Sequence, residues 1–191
     1  MKVVDWWKKF WKFLKKDTWQ SWIVSLILAF IIIKLIFFPG LSFVMGTSLP
    51  LVVVESCSMY HEAGFEKWWE SNSAWYERKG ITKEEFKKFS FKNGLNKGDI
   101  ILVSGRGEYK TGDIIIFDSS YRYPLIHRVV DEDPLGTKGD NGKTNSNQLP
   151  QEKEINPEQV LGKSLIRIPG LGWAKLIFFE GTRTTGKGFC K

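Results

Sequence analysis

The sequence has little of the chemistry on which metal proteins and disulfide-rich proteins depend. Its 191 residues include two cysteines, Cys57 and Cys190, and two histidines, His61 and His127. Two cysteines cannot build a disulfide scaffold, and because they are not spaced as CxxC, neither a zinc site nor a thioredoxin-type site is expected. His61-Glu62 does not continue into the HExxH spacing of a zinc protease. The sequence therefore predicts no metal and no cofactor.

The composition is that of an ordinary folded protein. A hydrophobic fraction of 42% excludes a disordered or collagen-like chain. The length predicts one main domain with appendages, and no internal repeat is convincing.

The net charge of +7 is unevenly distributed along the chain. Residues 1–20 hold six lysines and two aspartates, a net +4, and five of the nine tryptophans lie within the first 22 residues. Residues 21–191 carry only +3. This near-neutral remainder argues against a nucleic-acid partner, which would require a basic surface.

Residues 1–21 have the pattern of a cytoplasmic, amphipathic leader that is basic and aromatic. Trp7, Phe10, Trp11 and Leu14 follow helical spacing, so one helix face is apolar while lysines crowd the other. This pattern is typical of a helix that lies among lipid headgroups. A short soluble helix packed on a domain is the alternative.

Residues 22–45 are predicted to be a transmembrane signal anchor. Residues 23–38 are apolar except for Ser25 and Lys34 but reach only about 24 Å, so the span must extend to residue 45 to cross a core of about 30 Å. Lysines precede the span and few follow it, which places the N-terminus in the cytoplasm and the rest of the chain outside. A cleavable signal peptide is the alternative, but residues 44–46 form a poor cleavage site.

Residues 46–168 are predicted to form a mostly antiparallel β domain with a helical insertion at residues 60–97. Short β-branched runs at 51–54, 98–103, 112–117, 124–130 and 160–168 are punctuated by Gly, Asp and Pro. Thr82 and Glu85 resemble a capping box that opens a short helix in the insertion. The apolar segment 169–191 is expected to be membrane-proximal, and either packs on the domain or enters the outer leaflet. The fold class is therefore mostly β with an N-terminal transmembrane helix.

Three residue types needed for nucleophilic catalysis occur in the β domain. Ser56 and Ser58 follow a buried strand, His127 lies within a strand, and Asp140 begins a polar loop. A serine nucleophile needs a base to accept its proton, and that base needs a partner that fixes its tautomer. Each of these residues is common on its own, and His61 is a competing base, so the spacing alone does not decide the chemistry.

Four motifs in a fixed order, behind an N-terminal anchor, resemble type I signal peptidases over roughly residues 20–168. These motifs are Ser56-Cys57-Ser58-Met59, GDIIIF at 112–117, PLIHRVV at 124–130 and TKGDN at 137–141. The His-Arg-Val-Val form resembles the archaeal and endoplasmic-reticulum branch, in which a histidine replaces the catalytic lysine of the bacterial enzymes.

The resemblance implies a role for each matched position. Ser58 would be the nucleophile, His127 the general base and Asp140 its acidic partner, while Ser56 would supply a hydroxyl to the oxyanion hole beside the Ser58 amide. The family fold is an antiparallel β domain that rests on the outer membrane surface. We expect an extended substrate to pair with strand edges near residues 51–56 and 112–118.

The sequence departs from the family pattern at four places. His61 stands where the family usually has proline, and the insertion at 60–97 is long enough to cap the site or recruit a partner. A second acidic residue normally follows the GDN loop, but residues 144–147 contain none, so Ser146 or an asparagine must orient the base, or Asp140 acts alone. Cys57 occupies a position where glycine is common and is expected to be a small buried thiol.

The expected protein is a membrane-anchored serine endopeptidase that removes signal peptides from secretory preproteins after small residues at positions −1 and −3. It would be a single-pass protein of the cell membrane, with preproteins, the lipid bilayer and membrane subunits as candidate partners. The alternative is a non-catalytic anchored relative that binds preproteins or scaffolds a complex, consistent with the missing acidic residue.

Overall fold

The leader predicted from the sequence is helical. The structure, a computed structural model, describes residues 2–119, 123–181 and 188–190, and the chain separates into two compact units, Met1–Val44 and Met45–Lys191. In the first unit, helix α1 spans Lys2–Leu14. Trp7 and Trp11 on this helix are more than half exposed, as expected of a helix whose apolar face meets lipid.

A second, longer helix follows and contains the predicted anchor. It consists of α2 (Trp19–Ile32), a π-helical turn (Ile33–Phe37) and α3 (Phe38–Met45). Together these 27 residues are long and apolar enough to cross a membrane, at about 40 Å. Pro39 lacks a donor for the helical ladder, and it lies two residues after the π-helical turn, where that ladder is already shifted. The helix begins three residues before the predicted span and ends where it was predicted to end.

The second unit is built on a six-stranded antiparallel sheet, which confirms the predicted antiparallel architecture. The strands are β1 (Leu51–Val53), β2 (Ile100–Ser104), β3 (Ile114–Phe117), β4 (Leu125–Glu132), β5 (Leu135–Lys138) and β6 (Val160–Ile168). Their order across the sheet is β1-β2-β6-β3-β4-β5. Five of them match the predicted runs, and β5 was not predicted.

The sheet order leaves β1 as an edge strand and places β3 inside the sheet. β3 pairs with β4 on one side and with β6 on the other. The expected exposed edge near residues 112–118 is therefore wrong, because both edges of β3 are already hydrogen-bonded. Of the two strand edges expected to pair with a substrate, one remains, which is the edge of β1 that faces away from β2.

The insertion is helical, as predicted, and packs on the sheet. Helix α4 spans Phe65–Arg78, and helix α5 (Lys83–Phe86) begins with the predicted capping box between Thr82 and Glu85. The insertion forms a hydrophobic cluster with Val130 of β4; its buried members are Phe65, Trp68, Trp69, Tyr76, Ile81 and Phe86. Because this cluster includes a strand residue, the insertion is an integral part of the domain.

The C-terminal segment packs on the domain through one short helix, α6 (Trp173–Glu180). Leu176 is fully buried, whereas Phe178 is 81% exposed. An eight-residue helix reaches about 12 Å, too short to span a bilayer. Residues 182–187 and 191 of this segment lie outside the described residues.

Candidate active site

His127 is held in one orientation by a buried carboxylate. Its Nδ1 is hydrogen-bonded to Glu152 Oε1, and both side chains are almost completely buried. A Glu152 carboxylate can only accept, so in the neutral imidazole Nδ1 carries the proton and Nε2 is the ring nitrogen without one. His127 is therefore in the tautomer that a general base requires.

Glu152 is fixed by its own hydrogen bonds. It ends a 3₁₀ turn, Pro150–Glu152, where Oε2 accepts from the Leu149 amide at 2.7 Å. Oε1 also accepts from Thr137 Oγ1 at 3.2 Å. The sequence pattern does not point to Glu152, because this residue lies twelve positions after Asp140 and the family's second acid is expected about six positions after it.

Asp140 does not contact His127, contrary to the role that the resemblance implies. Its carboxylate instead accepts from Arg128, at 3.0 and 3.1 Å from Nε and 2.7 Å from Nη2. It also accepts from Tyr76 OH at 2.9 Å and is bonded to His61 Nε2 at 2.9 Å. Asp140 is thus the centre of a buried polar network that joins the loop, β4 and the insertion.

The charge of Arg128 determines the ionisation of Asp140. Burial by itself would raise the pKa of Asp140, but the Arg128 guanidinium and the hydrogen bond with His61 hold that pKa well below its ordinary value. Burial and the neighbouring Asp140 charge raise the pKa of Tyr76 well above normal, so its hydroxyl remains a donor. The network therefore contains an ionised aspartate paired with a buried arginine.

His61, the competing base, is occupied by this same network. Its side chain is fully buried and stacks on Trp68 with ring centroids 3.8 Å apart. Because Nε2 is committed to Asp140 and the residue is buried, His61 has the contacts of a structural residue.

The turn that carries Ser58 is attached to the loop after β5. The Asn141 amide donates to Ser58 O at 2.8 Å, and Asn141 Nδ2 donates to Cys57 O at 2.9 Å. Two residues earlier in this loop, a Cβ added to Gly139 would lie 3.0 Å from His127 Nε2. The loop at residues 139–141 thus links the serine turn with the unprotonated nitrogen of His127.

Ser58 and His127 do not share a hydrogen bond in the described part of the chain. Ser58 Oγ is hydrogen-bonded to Ser56 Oγ at 3.1 Å. The Ser58 amide has no acceptor among the described residues. The structure thus brings the two serines together as expected and leaves Ser58 Oγ turned toward Ser56.

Ser146 does not orient the base. Ser146 is exposed and lines a surface cleft beside α4, and no hydrogen bond connects it with His127 in the described structure. The candidate role of Ser146 is therefore wrong, because Glu152 occupies Nδ1 of His127.

Cys57 is not a free thiol. It forms a disulfide with Cys190, across a sequence separation of 133 residues. The expectation of a small buried thiol is wrong, and the C-terminal segment is covalently tied to the residue between Ser56 and Ser58. Among the described residues, no group of three or more His, Cys, Asp and Glu side chains is arranged to hold a metal ion.

No protein-family model and no curated protein matches this chain.

Proposed function

We propose that this protein is a membrane-anchored serine endopeptidase of the signal peptidase type, which removes signal peptides from secretory preproteins after small residues at −1 and −3. The observation that carries the proposal is the buried Glu152–His127 pair, which leaves Nε2 unprotonated beside the loop that holds the Ser58 turn. An acid, an oriented imidazole and a serine are the parts of a serine hydrolase.

The proposed reaction follows from these positions. The hydrogen bond between Ser58 Oγ and Ser56 Oγ breaks. Ser58 Oγ then attacks the carbonyl carbon of the scissile bond while His127 Nε2 accepts the hydroxyl proton of Ser58. The imidazolium is stabilised by Glu152 and then protonates the leaving amine. Ser56 Oγ, released from Ser58, and the Ser58 amide donate to the oxyanion, a contribution of about 3 kcal/mol for one such donor. Water then hydrolyses the acyl-enzyme, with His127 again as the base.

Two features support an extracytoplasmic site close to a membrane. The Trp19–Met45 helix can span a bilayer, and lysines in the preceding segment favour a cytoplasmic N-terminus. The Cys57–Cys190 disulfide is typical of an oxidising compartment outside the cytoplasm. An anchored enzyme would search for anchored substrates in two dimensions, where the hydrophobic signal segment already lies.

The second candidate is an anchored module that binds preproteins without cutting them. The specific observation in its favour is the hydrogen bond of Ser58 Oγ with Ser56 Oγ, which leaves the base without its nucleophile. Catalytic hydrogen bonds are often formed only in the complex with substrate, so an activity measurement has to separate the two candidates.

The experiment uses the detergent-purified full chain, a preprotein and a variant of that preprotein with a bulky residue at −1. We expect cleavage of the first substrate only, with the mature N-terminus confirmed by mass spectrometry. Ser58→Ala should abolish cleavage, whereas the matched control Ser90→Ala should retain it because Ser90 is exposed and lies outside both the serine turn and the cleft beside α4. Release of mature protein by Ser58→Ala would refute the proposed nucleophile, and binding of preprotein without cleavage by the native chain would establish the second candidate.

A further inference from the structure

The insertion and the loop after β5 line a cleft next to the Ser58 turn. The cleft has a volume of about 370 Å³ and is lined by α4 on one side and by residues of the loop on the other. Tyr60 and Asn141 line it, and both contact the serine turn: the Tyr60 amide donates to Cys57 O at 3.1 Å, and the Asn141 amide donates to Ser58 O at 2.8 Å. A peptide that extends away from Ser58 therefore has this cleft within reach.

The lining of the cleft is strongly positive. It includes Lys67, Arg78, Lys138 and Lys143 against one carboxylate, Glu62, a net +3. Residues 46–191 as a whole contain 21 basic and 19 acidic residues, a net +2. The positive charge of the domain is therefore concentrated in the cleft.

Three of these cations form no ion pair with any residue that the structure describes. Lys143 pairs with Glu62, but within the described ranges no ion pair involves Lys67, Arg78 or Lys138. Lys138 is buried, donates to Gly139 O at 2.8 Å, and lies 5.0 Å from the ring centroid of Trp75. Burial lowers the pKa of Lys138 because a buried ammonium loses its hydration, and the charges of Asp140 and Glu152 offset part of that shift. A carboxylate brought by a ligand would find its partners in the exposed Lys67 and Arg78.

We infer that this cleft binds the mature side of the substrate, the residues that follow the scissile bond, and that it favours acidic side chains there. The inference rests on the proposed function. The residues before the bond are small or apolar and match the free edge of β1, which consists of Leu51–Val53. A cationic cleft matches the other flank of the scissile bond, because a charged cleft raises the local concentration of an oppositely charged segment.

The first test compares three preproteins that share one signal peptide and differ at positions +2 to +5, with glutamates, glutamines or lysines. We expect kcat/KM at low salt to be about tenfold higher for the glutamate substrate than for the glutamine substrate, and lower still for the lysine substrate. Half-molar salt should reduce these differences, because the Debye length falls to about 4 Å. Equal kcat/KM values for all three would overturn the inference while leaving the proposed function intact.

The second test assigns the preference to the cleft. The double variant Lys67→Glu/Arg78→Glu should lose the preference for glutamate, since both residues are exposed and line the cleft. The control Lys88→Glu/Lys92→Glu makes the same charge change on exposed residues of the insertion outside the cleft and should retain the preference. An equal loss of preference in both double variants would attribute the effect to the net charge of the domain and overturn the inference.

A binding measurement separates a failure of this inference from a failure of the proposed function. In the full chain with Ser58→Ala, an acidic peptide of the mature sequence should quench the fluorescence of Trp75, which lines the cleft, and its glutamine counterpart should bind about tenfold more weakly. If the variant binds the acidic peptide but the native chain does not cleave the preprotein, the result contradicts the proposed peptidase and supports the assignment of the cleft as a peptide-binding site. If the acidic and glutamine peptides bind equally well and only anionic phospholipid in the micelle displaces them, the cleft binds lipid headgroups, and the inference is overturned.

Discussion

Replacing Glu152 by glutamine changes the tautomer of His127 without changing the shape of the site. The Leu149 amide donates to Oε2 at 2.7 Å, and an amide NH₂ group cannot accept that bond. The glutamine oxygen must therefore occupy the Oε2 position, which turns its NH₂ group toward His127 Nδ1. The NH₂ group then donates to Nδ1, so the ring proton moves to Nε2, and Nε2 can no longer act as a base.

The size of the effect follows from these contacts. Losing a hydrogen bond to a charged group costs about 1.5–3 kcal/mol, or roughly 10- to 150-fold in rate. The wrong tautomer adds to this loss, since an amide in place of the triad carboxylate lowers kcat about 10⁴-fold in a serine protease. We expect Glu152→Gln to lower kcat by about 10²- to 10⁴-fold with little change in KM, because Glu152 is buried behind the imidazole.

The assay is cleavage of a preprotein by the detergent-purified chain under single-turnover conditions, with thermal unfolding recorded for each variant. Glu154→Gln is the matched control, since Glu154 is exposed and lies two residues away. A folded Glu152→Gln variant with a kcat within threefold of the native value would refute the assignment of Glu152 as the residue that orients the base. An equal loss of activity in Glu154→Gln would show that the effect is not specific to this carboxylate.

Three further predictions concern the residues around this pair. Asp140→Asn should reduce the free energy of unfolding by about 3–5 kcal/mol at pH 7, because Arg128 is left buried without its charge partner. Because the pKa of Asp140 is lower in the folded than in the unfolded chain, the ionised Asp140 stabilises the fold above about pH 4, and this contribution is lost as the pH falls toward the pKa of the folded state. The difference in melting temperature between the native chain and the variant should therefore narrow below about pH 4. A difference that stays constant with pH would contradict the ion-pair assignment. Gly139→Ala should lower kcat by about 10- to 100-fold, because the new Cβ would lie 2.7 Å from Asn145 Cγ and 3.0 Å from His127 Nε2. An unchanged single-turnover rate would show that the loop accommodates the methyl group without displacing His127. Cys190→Ser should lower the free energy of unfolding by about 2–5 kcal/mol in denaturant titrations, and a reducing agent should do the same to the native chain but not to the variant.

The strands could be predicted wherever the sequence itself is β-branched and apolar. Val160–Ile168 was predicted and found with the same bounds. β5, by contrast, reads Leu-Gly-Thr-Lys and contains one apolar residue, so it has no strand signal of its own. It becomes a strand by pairing with β4, as Val129 faces Thr137 across the ladder. Strand formation of this kind depends on a neighbour and is invisible to local sequence patterns.

The disulfide and the acid partner of the base were missed for a similar reason. Cys57 and Cys190 are separated by 133 positions, and no local motif connects them. Glu152 ends a short 3₁₀ turn whose sequence, Pro-Gln-Glu, resembles an ordinary surface turn, yet its side chain is fully buried against His127. In both cases the chemistry depends on a contact that the folded chain makes across a long loop.

The assignment of Asp140 shows how strand geometry could have corrected a motif. His127 and Arg128 are consecutive residues of β4, so their side chains point to opposite faces of the sheet. Asp140 accepts two hydrogen bonds from Arg128 Nε and one from Arg128 Nη2, so its carboxylate lies on the face of β4 that carries Arg128. The same carboxylate cannot also bond His127 Nδ1 on the opposite face. Because His127 and Arg128 lie on opposite faces and each is bonded to a buried carboxylate, two acids are needed, and the second comes from elsewhere in the chain.

The contacts of Arg128 and Val130 explain why the insertion belongs to the domain. The Arg128 guanidinium lies 4.7 Å from the ring centroid of Phe86, and Val130 packs into the aromatic cluster that contains Phe86. Tyr76 of the same cluster donates to Asp140. The insertion thus stabilises the loop that begins at Asp140 from one side of the sheet. Glu152 orients His127 from the other side, so a variant on one face can change stability while a variant on the other changes the chemistry.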